Sequence, residues 1–266
     1  STRFMQGFLY LVYEIDASKF VLFHVSNALC NLKHGSLAIL TIFEFMMQQF
    51  QLSVNDDPRY MDISTGLFNS IIDAIHKNTI ELAMVLVRNL FFDSLMVYVN
   101  SCNDPSCVFN LLEVCRQISL LKGEISVLVS NADFFDRLLL VVERFDDPDI
   151  QTTIEQKLWA TVFEDDYDSR LARRIRNAGP LTLLFRLLLK SKQKINDFLT
   201  FVYECCEVEL LSAFEVNRSN LPTHLLNYIY TYRRKECIDE SFEAALNLLS
   251  VLSAHSMKGK DINRLF

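Results

Sequence analysis

Apolar residues return every three or four positions through most of the chain, and they return in blocks. The stretch "FFDRLLLVVERFDDP" (134–148) carries the period of an amphipathic helix and then an Asp-Pro stop. The stretch "FFDSLMVYVNSCNDP" (91–105) stands 43 residues earlier and matches it at seven of fifteen positions. Asp followed by Pro is a helix-start signal. The carboxylate accepts a hydrogen bond from a backbone N–H that has no partner inside the helix, and Pro at the first helical position has no N–H to leave unused. Helices are therefore expected to begin after Asp104, after Asp147 and after a third pair, Asp57-Pro58. Asp16 and polar breaks near Ser191–Lys194 and Glu236–Asp239 extend the series, at intervals of about 41–47 residues, which is the range of helical solenoid repeats.

The helices that follow these breaks align in columns four residues apart. Tyr60, Cys107, Ile150, Ile195 and Ile238 form the first column. Ser64, Leu111, Ile154, Leu199 and Phe242 form the second, and Phe68, Cys115, Leu158, Tyr203 and Leu246 the third. Apart from Ser64 and two tyrosines, every member is apolar or Cys. Steps of four on a helix of 3.6 residues per turn lay these side chains along one stripe, so each long helix is expected to bury that stripe. Shorter amphipathic segments separate the long ones: 79–91 and 92–101, 124–130 and 133–145, 167–179 and 180–190, 209–217 and 222–233. Each unit is thus expected to be a short, a medium and a long helix.

The segment "RRIRNAGPLTLLFRLLLKSKQKINDFLTFVYECCE" (173–207) resembles an armadillo repeat: a first helix closing on Asn177-Ala178-Gly179, a Leu-rich second helix, a polar turn and an amphipathic third helix. "ALCNL" (28–32) and "AALNLLSVL" (244–252) are similar to the ends of armadillo third helices. The resemblance covers most of 17–256, except that 33–57 has room for only one long helix, 36–52. It implies an all-α, armadillo/HEAT-like right-handed superhelix of about five to six helical repeats. Residues 1–266 are read as a single array cut from a longer chain, since the sequence opens on Ser. Large scaffolds with such arrays include BEACH-domain trafficking proteins, formins and phosphatase regulatory subunits. A BEACH-type host is the one the general appearance of the chain suggests.

Composition agrees with helices and narrows the partners. Half of the residues are hydrophobic, and only six Gly and five Pro punctuate 266 positions. The net charge of −7 argues against nucleic acid as the partner. The most apolar stretches, 37–50 and 180–190, are interrupted by Glu44 and Arg186 and are too short to span a membrane. Seven irregularly spaced Cys in apolar contexts fit reduced, buried thiols and a cytoplasmic location.

Candidate chemistry is sparse. Cys102, Cys107 and Cys115 are spaced C-x4-C-x7-C, but no His lies within 25 residues and two of the three occupy core columns, so no metal is expected. The vicinal Cys205-Cys206 pair lacks the C-x-x-C form of redox sites. No nucleophile elbow, phosphate-binding loop, zincin or dinucleotide motif occurs, so neither an enzyme nor a cofactor is expected. What the pattern offers instead is a row. Asn69, Arg116, Trp159, Glu204 and Asn247 each follow a third-column residue by one position, about 100° round the helix. Such a row would line a concave groove and contact a protein or peptide partner, with the only Trp of the chain as its apolar centre. Importin-like armadillo proteins place an Asn four residues after a third-helix Trp. Here Phe163 stands there, which disfavours nuclear-import peptides. Arg170, Arg173, Arg174 and Arg176, beside four acids in 164–168, are either a solvated helix face or a docking site for acidic or phosphorylated sequence. The expected function is a non-catalytic protein–protein interaction scaffold, and the alternative is a compact all-α enzyme or ligand-binding bundle. The oligomeric state is left open.

Overall fold

The computed structural model describes residues 96, 99–100, 104–120, 132–164, 174–234 and 239–255. Every regular element among them is an α-helix: α1 (Pro105–Ser119), α2 (Ala132–Val142), α3 (Pro148–Phe163), α4 (Gly179–Leu188), α5 (Lys192–Val208), α6 (Leu210–Arg218), α7 (Leu221–Arg234) and α8 (Glu240–Ala254). The chain divides into two compact units, Ser1–Leu128 and Val129–Phe266. The first contains α1, and the second contains α2 to α8.

The long helices begin where the polar breaks predict. Asp104 is extended, and its Oδ1 accepts from the Ser106 N–H at 2.8 Å, with Pro105 opening α1. Oδ1 of Asp147 accepts from the N–H groups of Asp149 and Ile150 at 2.8 and 3.2 Å, with Pro148 opening α3. Ser191 caps α5 through Lys194 N–H, and Asp239 caps α8 through Phe242 N–H. These four caps recur at intervals of 43, 44 and 48 residues. Asp16, Asp57-Pro58, the 33–57 junction and the column residues Tyr60, Ser64, Phe68 and Ile238 lie outside the described residues.

The end of α3 departs from expectation. Glu164 turns into the left-handed region at φ 59°, and its N–H returns to the Ala160 carbonyl. Residues 174–178 are then irregular rather than the end of a short helix over 167–179. Their donors are committed elsewhere. The N–H groups of Arg176 and Asn177 both go to the Val162 carbonyl at 3.0 Å, and Ile175 N–H goes to Ser212 Oγ at 2.8 Å in a buried bond. An N–H held by a distant acceptor cannot join a helical ladder. Asn177 Oδ1 accepts from Gly179 N–H, so Asn177-Ala178-Gly179 opens α4 instead of closing the helix before it.

Within the second unit the helices form two ranks. The medium helices α2, α4 and α7 pack in succession, as α5 does on α8. Aromatic rings join α3 to α5: Trp159 meets Phe198 and Phe201 at centroid distances of 5.7 and 5.4 Å. Contacts of α3 with α4, α4 with α5 and α7 with α8 close the ranks against each other. Phe185, completely buried on α4, sits where they meet and touches Phe198 of α5 and Tyr228 of α7. Ion pairs at the surface link successive long helices, Lys194 of α5 to Glu155 in the middle of α3 at 2.9 Å and Lys192 of α5 to the α8 cap Asp239 at 3.4 Å.

The columns hold for the earlier helices. Cys107, Leu111, Cys115, Ile154, Leu158, Ile195 and Leu199 are buried, while Ile150 and Tyr203 are half-buried. They fail in α8. Leu246 is exposed and Phe242 half-buried, and the stripe runs through Ser241, Ala245, Leu248 and Leu252. The columns place α8 43 residues after α5, whereas the caps at Ser191 and Asp239 stand 48 apart, so the column register does not carry over into α8.

Replacing Phe185 by Ala should destabilise the second unit by about 3–5 kcal/mol, as loss of a buried aromatic does. Loss of the cap in Asp147→Ala should cost only about 1 kcal/mol. Urea denaturation of the two variants side by side checks the ranking, and a Phe185→Ala loss no larger than that of Asp147→Ala would contradict this packing.

Candidate interaction surface

The expected row does not stand as a row of exposed side chains. Trp159 is 6% exposed. Its indole stacks on Phe163 at 5.6 Å and an interplanar angle of 8°, and Phe201 meets it edge-on. A step of 100° from Leu158 was expected to carry Trp159 to the rim, but α5 packs along that flank and covers it with Phe198 and Phe201. The Trp is a core aromatic. Glu204 on α5 and Asn247 on α8 are exposed. Arg116, on α1 of the first unit, is half-buried and clasped by Glu113 at 2.7 Å. Asn69 lies outside the described residues.

Of the arginine group, Arg170 and Arg173 also lie outside the described residues. Arg174 and Arg176 are exposed on the irregular segment before α4, not on a helix. Arg176 faces the Glu164 carboxylate at 3.7 Å. Burial raises the Glu164 pKa, and the arginine opposes that shift. The thiols of Cys107, Cys115, Cys205 and Cys206 are buried. Burial pushes Cys206 up to about 12 and Cys115 higher still, so neither forms a thiolate near neutrality. Among the described residues, no three His, Cys, Asp or Glu side chains converge as metal ligands would.

Three features are absent from the sequence reading. The first is a polar relay where α5, α7 and α8 meet. Ser241 Oγ donates to Asp239 Oδ1 at 2.6 Å, so its single proton is used, and Tyr228 OH donates to Ser241 at 2.8 Å. The hydrogen bond from Ser241 holds the Asp239 carboxyl below its ordinary value, with help from Phe242 N–H and Lys192. A cleft of about 460 Å³ opens beside the relay, lined by Lys192, Gln193, Asn196, Asp239, Glu240 and Glu243 among others. The second feature is a charge cluster across the medium helices. Asp136 Oδ1 of α2 lies 3.7 Å from Arg186 of α4 and 3.9 Å from His224 Nε2 of α7.

The third is the outward face of α6. Leu210, Leu211, Phe214 and Arg218 fall within an arc of about 100°, and all four are exposed. The opposite arc, Ser212, Ala213, Val216 and Asn217, is buried. This helix is turned inside out for a reason visible in its bonds. Ser212 accepts the Ile175 N–H, and Asn217 Nδ2 donates to the carbonyls of Leu252 and His255 at the end of α8. Small and polar groups therefore hold the inner face close, and the large apolar ones are left outside. The short segment 209–217 carries apolar residues of both faces, so its period alone does not tell which side faces inward.

No family description, curated protein or solved structure matches the chain.

The indole of Trp159 should resist acrylamide quenching, and Trp159→Ala should destabilise by about 3–5 kcal/mol. Because it is the only Trp, intrinsic fluorescence reads this position alone. Fast quenching with an unchanged denaturation midpoint would return Trp159 to the surface. For His224, burial depresses the pKa, Asp136 pulls it up and Arg186 pushes it down, for a net lowering. The fold thus favours the neutral ring. That contribution is complete above the unfolded value of about 6.5 and is lost as the pH falls below it toward the folded value. Between pH about 7.5 and about 5, the wild type should lose more stability than His224→Gln, measured by urea midpoints at each pH. Equal losses would show that the ring does not carry this dependence.

Proposed function

We propose that the chain is a non-catalytic protein–protein interaction scaffold built as an armadillo/HEAT-like superhelix. The observation that carries this reading is the stacking of sequence-equivalent helices into two ranks, α2–α4–α7 and α3–α5–α8, with caps at near-regular intervals. An array in which each unit packs mainly on its neighbours presents long continuous faces and encloses no deep central site, so its natural product is an extended contact surface. Glu204 and Asn247 are exposed and are the proposed contact positions of the long-helix rank in the second unit. Arg174 and Arg176 are proposed to dock acidic sequence. Trp159 acts from behind, as support for the helix that carries its neighbours. A cytoplasmic location belongs to this reading. No helix among the described residues is long and apolar enough to cross a membrane.

A compact ligand-binding bundle is the second reading, favoured by the cleft beside Asp239. Every residue that lines it is of a polar or charged type, whereas small-molecule sites are lined predominantly by hydrophobic and aromatic side chains.

Small-angle scattering separates the two. The superhelix should give a radius of gyration well above the roughly 18 Å of a compact 266-residue globule. A value at that figure would sink the scaffold architecture. For the function itself, proximity labelling should recover partners from the wild type that are lost from a Glu204→Arg, Asn247→Arg double variant and kept by Leu140→Ala on α2. Recovery independent of the double variant would remove the long-helix face from the proposal.

A further inference from the structure

We draw no further inference here: the strongest candidate, the exposed apolar face of α6 formed by Leu210, Leu211 and Phe214, is bordered by Glu207, Glu209 and Glu215 and equally by Arg174 and Arg176 of the segment bonded to Ser212, and nothing in the structure shows what covers it.

Discussion

The second unit is organised around a chain of aromatic contacts that crosses from one rank of helices to the other. Phe163 and Trp159 of α3 meet Phe201 and Phe198 of α5, Phe198 meets Phe185 of α4, and Phe185 meets Tyr228 of α7. Large flat side chains bury more apolar area per residue than aliphatic ones and prefer edge-on or offset contacts, so each ring limits the angle of the next. Four helices are aligned by this one sequence of contacts. Its far end is polar by construction. Tyr228 delivers its hydroxyl to Ser241, and Ser241 delivers its own to the cap carboxylate of α8. The start of α8 is thus set by the same chain that fixes α3, and Lys192 of α5 closes onto that cap from outside.

Seen this way, the burial of Trp159 and the exposure of the α6 leucines have one cause. The space between α3 and α5 is filled by rings, and α3 gives both Leu158 and Trp159 to the interior. Where α6 packs against α5, α7 and α8, the interior side consists of Ser212, Ala213, Val216 and Asn217, a face too small to accept rings. Hydrogen bonds to Ile175 N–H and to the last carbonyls of α8 take the place of apolar packing there. The apolar side chains that α6 nevertheless carries have only the solvent side left to them.

Helix starts were legible in the sequence because capping is local chemistry. An Asp or Ser that accepts a neighbouring N–H, with Pro next to it, specifies its helix without reference to the rest of the chain. Asp104, Asp147, Ser191 and Asp239 all accept such an N–H, and Pro follows the first two. Core columns were legible only as far as spacing stays constant. They hold through Leu158 and Leu199 and slip in α8, where the caps stand 48 residues apart and Ala245 and Leu248, not Leu246, face inward. The irregular 174–178 segment was illegible because what breaks it is not local: Ser212 takes one of its N–H groups from 37 residues away, and Val162 takes two from 14 and 15 residues away.

The candidate surface was less legible than the fold, and for a physical reason. A row placed one residue beyond the core stripe assumes that each helix buries a stripe of the same width. In α1 and α3 the buried set is broad, taking in Val114 with Cys115 and Trp159 with Leu158, whereas α5 leaves Glu204 in solvent. How wide a stripe becomes depends on what packs beside it, and that neighbour comes from a distant part of the chain. A ring at such a border position is drawn inward when other rings lie across from it, as Phe198 and Phe201 lie across from Trp159. A carboxylate at the equivalent border stays out, because burying it without a partner costs more than any contact it would gain. The chemistry of the border residue therefore decides its side. A surface read from register alone is most trustworthy at charged positions such as Glu204 and least so at an aromatic one.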